Sequence, residues 1–237
     1  MNEARVVQLG SDVYAEVHRL ANGWSFRTIA VALRGGGSVV VSPTRTLEPS
    51  GLVGAAGEPR FFLAPNHFHW LGIPEWSKAF PDAEPVATER ASPRLGAKLG
   101  RPIQQLGELS ASLPSGVTLL EPQGIGSGEV WLELSEGARR TWIVCDAFFN
   151  EPAHPSGFFG LGCRMTGTTF GLKLGQTWKY FQLADRARYR DFVLERLERA
   201  PPTRLVMSHG DTLESSELPG LLTALVRSRL GMREGEA

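Results

Sequence analysis

Ala64-Pro65-Asn66-His67-Phe68-His69-Trp70 places two histidines, two residues apart, directly after the apolar run 61–63. That run predicts a short buried strand, and Pro65, which has no N–H to donate, ends it. A loop at the end of a strand can turn both imidazoles toward one point, as a metal ion requires of a His-x-His pair. Because so short a motif also occurs by chance, ordinary polar loop histidines are the alternative interpretation.

The composition provides enough apolar residues for a sizeable core. Of the 237 residues, 42% are hydrophobic, and 25 basic and 25 acidic residues cancel to a formal net charge of zero. A neutral chain has no general electrostatic attraction to nucleic acid or to an anionic membrane, and no apolar run reaches the length of a membrane span. We therefore expect a small-molecule substrate or ligand, with no nucleic acid and no membrane as partner. The sequence leaves the oligomeric state open.

Cysteine usage and the first residues indicate the cytoplasm. The two cysteines, Cys145 and Cys163, are too few and too isolated for a disulfide framework, so a reducing compartment is expected. The start, Met1-Asn2-Glu3-Ala4-Arg5, lacks the apolar region of a secretion signal.

Hydrophobic periodicity predicts two β-rich regions, each followed by helical segments. The expected strands cover 6–9, 13–17, 26–33, 39–41, 61–63, 85–88, 117–120, 129–134, 140–145 and 204–207. The expected helices cover 74–80, 185–199 with Asp185 as cap, and 218–226. Residues 89–112 show no assignable pattern, and 148–175 are expected to form a long loop with short elements. Two such halves favour two packed sheets with helices outside, in a single domain over 1–237.

Chemically useful side chains follow three of the predicted strands. His67 and His69 follow a strand of the first region, and Asp146 and His209 each follow a strand of the second. Polar groups at the C-terminal edges of strands can converge in one cleft, because the sheet holds the loops together. Two or three imidazoles and a carboxylate are suitable ligands for zinc, iron or manganese.

In this order the motifs resemble those of the metallo-β-lactamase-fold superfamily. Its members have a strand followed by Thr-His-x-His-x-Asp-His, a Gly-His-x-x-Gly segment, a strand ending in Gly-Asp, and a late Gly-His or Ser-His. The similar stretches here are, in turn, 66–70, 124–128 in its glycines only, 144–147 and 207–210. The resemblance covers most of the chain and implies a four-layer α/β/β/α sandwich. An uncharacterised branch of unknown function is resembled more specifically at 64–66, 80–83 and 146–150, and no activity carries over from it.

Three ligand positions of the superfamily carry other residues in this chain. The resemblance places the motif aspartate at Leu71, the histidine next to it at Gly72, and the histidine of the Gly-His segment at Ile125. A leucine can neither bind a metal nor act as a base. The second site of the two-metal members would keep only Asp146 and His209, so no ordinary dinuclear site is expected.

The resemblance therefore implies at most one metal ion, with His67, His69 and Asp146 as ligands and His209 as a fourth. A set of three leaves a position for water, whose pKa the metal lowers toward neutrality. That arrangement permits hydrolysis of a small ester, thioester, amide or phosphoester, whereas four closed ligands make a structural site. The alternative is a metal-free ligand-binding or scaffold protein that retains the fold.

Overall fold

Mixed α/β structure runs through residues 6–45, 51–166 and 170–231, the part of the chain that this computed structural model describes. The chain divides into two compact units. The expected α/β class is confirmed, while the expected single domain over 1–237 remains a prediction.

The first unit contains the described residues of Met1–Arg19, Phe26–Leu119 and Ser127–Val130. Its sheet has the order β1-β2-β3-β4-β5-β6, formed by β1 (Val6–Gly10), β2 (Val13–Arg19), β3 (Ser25–Ala32), β4 (Ser38–Val41), β5 (Pro59–Leu63) and β6 (Glu84–Val86). Its helices are α1 (Gly51–Ala56), α2 (Ile73–Ala79), α3 (Ser92–Leu99) and α4 (Leu106–Ser112). Strand β7 (Val117–Leu120) leads from this unit into the second.

Strands β4, β5 and β6 of the first unit run parallel, with Val41 opposite Leu63 and Leu63 opposite Val86. Their carboxyl ends therefore meet at one edge of the sheet, and the His-x-His loop begins at that edge. The strands are held by a core in which Phe62 packs with its ring centroid 6.2 Å from that of Trp76 on α2. The buried apolar strand predicted before the histidines is thus confirmed.

The second unit contains the described residues of Leu20–Ser25, Leu120–Gly126 and Trp131–Ala237. In chain order it holds β8 (Trp131–Glu136), β9 (Arg139–Val144), β10 (Phe148–Glu151), α5 (Gly157–Thr166), β11 (Gly171–Leu174), α6 (Gln176–Phe181), α7 (Arg186–Arg199), β12 (Arg204–Met207), β13 (Leu213–Glu214) and α8 (Leu218–Leu230). One sheet has the order β13-β12-β9-β8-β7, and β10 and β11 form a separate antiparallel pair.

Large aromatic side chains fill the core of the second unit. Trp131, Trp142, Trp178 and Tyr189 are fully buried, and burying each such ring contributes roughly 2–3 kcal/mol. Helix α7 starts as predicted, because the carboxylate of Asp185 accepts a hydrogen bond of 3.0 Å from the backbone N–H of Arg188.

Most of the predicted elements are confirmed, and the differences have local causes. Residues 89–112 hold two short helices, α3, which contains Pro93 and Gly96, and α4, which contains Gly107. The strand expected from 129 begins at Trp131. The long loop expected at 148–175 contains β10, α5 and β11. Among the described residues, every helix is too short or too polar to cross a bilayer.

Candidate metal centre

Asp146 and His209 are brought together by the parallel register of β9 and β12. Val144 lies opposite Met207, and Asp146 and His209 each lie two residues beyond that pair. Both side chains are buried, with exposures of 7% and 6%. The sequence predicted a ligand at each strand end, and the register explains why the two ends deliver their side chains to one place.

The imidazole of His209 has a defined orientation. Its Nδ1 lies 2.8 Å from the carbonyl oxygen of Ser25, which can only accept, so Nδ1 carries a proton. Its Nε2 lies 3.4 Å from Oδ1 of Asp146. An ionised carboxylate also only accepts, so a positive centre, either a proton or a metal ion, belongs between these two atoms.

The separation of 3.4 Å is compatible with a metal ion between the two atoms. Two ligand atoms bound at about 2.0–2.2 Å to one tetrahedral zinc ion lie about 3.4 Å apart. A charge-assisted N–H···O hydrogen bond is shorter, at about 2.7–2.9 Å.

Polar neighbours fix the remaining atoms of this pair. The amide of Gln182 donates to Oδ2 of Asp146 at 2.9 Å. The hydroxyl of Ser25 donates to the buried carboxylate of Glu151 at 2.9 Å and accepts from Gly210 N at 2.8 Å. Such outer contacts orient metal ligands.

Aromatic rings enclose His209. Phe149 stacks on it at 5.3 Å between centroids with an interplanar angle of 8°, and Trp24 lies at 4.9 Å. Gly210, with φ of 89°, lets the chain approach β10 closely, because a Cβ there would overlap the backbone of Asn150. The imidazole is buried beside these rings, and burial strengthens electrostatic interactions at its nitrogens.

In the first unit, Asn66 shapes the His-x-His loop. Its side-chain oxygen accepts hydrogen bonds from Phe68 N at 2.8 Å and His69 N at 3.2 Å. This is an Asx-turn, in which an asparagine side chain replaces a backbone acceptor. The turn sets where the two imidazoles leave the loop.

His69 is oriented by Ser42, just beyond β4. The Ser42 hydroxyl lies 2.7 Å from Nδ1 of His69. Ser42 has φ of 52°, an uncommon conformation for this residue, and its backbone is held by Leu63 and Thr28. Such backbone strain of about 1–3 kcal/mol persists where surrounding contacts over-determine it, often at functional sites.

His67 has a different neighbour. Nε2 of His67 lies 3.1 Å from the guanidinium of Arg94 on α3, which also lies over the ring of Phe68 at 5.2 Å. A guanidinium only donates, so the Nε2 atom accepts from it. Ligation by His67 would use Nδ1 or require Arg94 to move, and His67 as a ligand remains a prediction.

Similarity to solved structures extends over nearly the whole chain. A metallo-β-lactamase from Pontibacter korlensis superposes with a TM-score of 0.63 at 15% sequence identity, covering 96% of this chain and 100% of that one. The metallo-β-lactamase FIM-1 from Pseudomonas aeruginosa, in its mono-zinc form, gives 0.60 at 13% identity, covering 95% of each. This chain has the metallo-β-lactamase fold.

A flavodiiron protein also contains a similar structure. The Flv1 flavodiiron core from Synechocystis gives a TM-score of 0.62 at 14% identity, with 99% of this chain covered and 62% of that one. No family model matches the sequence, and no curated protein matches it. The metallo-β-lactamase fold, expected from the motifs, is therefore established by structure at identities that carry no activity across.

The metallo-β-lactamase fold here lacks room for one of the missing ligands. A Cβ at Gly72 would overlap the carbonyl of Pro43, so the first unit has closed over the position where the resemblance places a histidine. Leu71 is 46% exposed. Ile125 is buried in the core of the second unit, where it bridges to Leu183. The expectation that no ordinary dinuclear site forms stays a prediction.

The sequence predicted the candidate ligands but not the residues that contact and orient them. Phe149 lies three residues after the candidate ligand Asp146, but nothing local marks Trp24 or Ser25. Ser25 lies 126 positions from Glu151 and 184 from His209. Glu151 carried the one available signal of these contacts, because it is an acidic residue in an apolar strand. It is 1% exposed, and a buried carboxylate needs partners.

Proposed function

We propose that the protein is a metal-dependent hydrolase with a single metal ion, acting on a small ester, thioester or phosphoester. The proposed ligands are those that the sequence motifs predict, namely His67, His69, Asp146 and His209. Zinc is the first choice, because imidazole and carboxylate ligands in a tetrahedral set suit it, and iron or manganese would accept the same groups.

The observation that carries this proposal is the geometry of Asp146 and His209. Their facing acceptor atoms are 3.4 Å apart, which fits two ligands of one ion, and the proton on Nδ1 of His209 leaves Nε2 as its basic nitrogen.

A second observation supports the choice of histidines. In both His69 and His209, Nδ1 is engaged by a serine, through the hydroxyl of Ser42 and the carbonyl of Ser25. Metal-ligating histidines regularly have their other ring nitrogen engaged in this way. Nε2 is then the ligating atom of both rings.

When bound, a zinc ion would act as a Lewis acid and lower the pKa of a water toward neutrality. The residues of the chain would bind this ion and orient its ligands. Asp146 would neutralise one positive charge of the ion, while the side-chain amide of Gln182 donates a hydrogen bond to its Oδ2 atom. Phe149 stacks on His209 and Trp24 packs beside it, so these rings shield part of the imidazole from water. A set of three of these ligands would leave a position for substrate or water, as in a catalytic site, whereas four would make the site structural.

Metal analysis tests the proposal. Protein purified without chelator should contain about one transition-metal ion per chain, and His69→Ala and Asp146→Asn should lower that content together with any hydrolysis of ester, thioester and phosphoester substrates. Cobalt substitution adds a spectroscopic measurement of the ligand set. Wild-type protein with no more metal than Asp146→Asn would refute the metal site.

A second candidate function is a metal-free protein that binds a small ligand. The contact of Arg94 with His67 favours it, since a cation at a candidate ligand opposes a second cation nearby. This candidate predicts metal-free wild-type protein and no hydrolysis, and turnover that His69→Ala abolishes would exclude it.

We also propose a small-molecule partner and the cytoplasm as the compartment. Cys145 and Cys163 are both buried, and the proposal rests on their small number in the sequence, which is typical of proteins from a reducing compartment. Expression as a fusion with a fluorescent protein tests the compartment.

A further inference from the structure

Helix α5 of the second unit carries its apolar stripe on the outside. Phe158, Leu161 and Met165 are 94%, 53% and 82% exposed, whereas Cys163 is 6% exposed. At 3.6 residues per turn the three exposed side chains share one face, and Cys163 points to the opposite one. An amphipathic helix normally turns its apolar face to the core, so this helix presents an apolar surface to something outside the unit.

Three more apolar side chains extend the pattern along the chain to α6. Phe170, Tyr180 and Phe181 are 56%, 74% and 78% exposed. Among the described residues, eleven large hydrophobic side chains are exposed, and the six over 50% are those between 158 and 181. Concentrated exposure of this kind marks an interaction surface, whereas isolated exposed apolar residues are ordinary.

Phe170 provides an independent sign of function. Its φ is 91°, a conformation that costs a bulky residue about 1–3 kcal/mol. Its ring stacks at 5.6 Å on His154 and stays more than half exposed. The backbone is strained at a point where an aromatic ring is presented to the outside.

The charges of this segment have one sign. Residues 157–181 contain Arg164, Lys173 and Lys179 and no acidic residue. The pKa of Lys179 lies below its usual value, first because of desolvation and then because Arg186 and Arg229 add positive charge nearby. A surface that combines exposed aromatic side chains with positive charge is complementary to a layered surface whose outer layer is anionic and whose inner layer is apolar.

We propose that the described part of the α5–α6 segment, residues 157–166 and 170–181, binds the surface of an anionic lipid bilayer. The apolar face of α5, with Phe170 and the two aromatic residues of α6, enters the boundary between headgroups and acyl chains, and the basic residues pair with lipid phosphates and carboxylates. This inference is independent of the proposed hydrolase. For this segment it replaces the expectation of no membrane, because a net charge of zero over the chain conceals a local excess of positive charge.

A second copy of the chain is the competing occupant of this surface. Two copies related by symmetry would bring the same three basic residues face to face. Like charges oppose that contact, and nothing acidic within 157–181 compensates them. The charge of the segment therefore favours an anionic bilayer.

Sedimentation with vesicles tests the proposal. The full chain should bind vesicles of phosphatidylcholine with about a quarter phosphatidylserine, and bind vesicles of phosphatidylcholine alone at least about tenfold more weakly. Phe158→Gln combined with Met165→Gln should weaken binding roughly tenfold or more. Arg164→Gln combined with Lys173→Gln should weaken it by a similar factor and reduce its salt sensitivity. Leu221→Gln, at an exposed apolar position on α8 of the same unit, is the matched control and should bind as the wild type does.

Three results would overturn the proposal. The first is wild-type protein that binds neither kind of vesicle, and the second is equal binding to both. The third is a dimer in solution that Phe158→Gln with Met165→Gln dissociates while vesicle binding is absent, which would assign the surface to a second copy. Because the substituted side chains are exposed, circular dichroism should show unchanged folding.

Discussion

The His-x-His loop of the first unit and the Asp146–His209 pair of the second hold their imidazoles by different means. The loop is shaped by an asparagine turn, its histidines are partly exposed, and one of them accepts a hydrogen bond from an arginine. The pair is buried, enclosed by two aromatic rings and fixed by a paired register of two strands. The His-x-His loop, which is conspicuous in the sequence, is therefore less tightly held than the Asp146–His209 pair, whose two residues are distant in the chain.

The largest expected effect is the loss of metal on removing the carboxylate of the pair. Asp146→Asn keeps the size of the side chain and should lower zinc affinity by more than about a hundredfold, since loss of a ligand exceeds the 10–100-fold effect of an outer contact. Titration calorimetry measures it. Asp82→Asn, at an exposed position, is the control, and an affinity equal in both variants would contradict the assignment of Asp146.

Gly72→Ala should be the most damaging small change in the first unit. Its Cβ would overlap the carbonyl of Pro43, so we expect a loss of about 2–3 kcal/mol in the free energy of unfolding, as for overpacked cores. Urea denaturation gives this value. Gly54→Ala in α1, where a Cβ would meet nothing within 4 Å, should be neutral or slightly stabilising. A tolerated alanine at 72 would reopen the possibility of a second metal site.

Ser42→Ala tests whether the strained serine serves His69. Loss of its hydroxyl removes the 2.7 Å contact with Nδ1 and should weaken zinc binding about tenfold. The control is Ser112→Ala, whose hydroxyl bonds only within α4. If both serine variants bind zinc with wild-type affinity, His69 is not held for a metal.

The smallest effect is expected from Arg94→Gln. Removing an exposed cation beside His67 should raise zinc affinity by about threefold, in keeping with the few tenths to 1 kcal/mol of exposed charge interactions. Lys98→Gln, one turn later on the same helix α3, removes an equal charge without a contact to His67. Identical affinities in the two variants would show that His67 takes no part in metal binding.

The α/β class and most strands could be predicted because hydrophobic periodicity is local. The same is true of the cap at Asp185, where a side chain bonds three residues ahead. Helices α3 and α4 were not predicted because both are short, and α3 contains Pro93 and Gly96 while α4 contains Gly107. The exposed stripe of α5 also escaped, since a helical pattern of apolar residues gives no sign of whether its face is buried or presented outside.

For the site, the sequence alone determined which residue types stand at the ends of which strands, because a motif and the strand before it are neighbours in the chain. Only the tertiary structure decided that β9 and β12 pair in a register that places Asp146 beside His209. It also brought Ser25, which lies more than a hundred positions away in the chain, to both Glu151 and His209. The physical reason is that register and burial are set by contacts between distant segments, which no local spacing encodes.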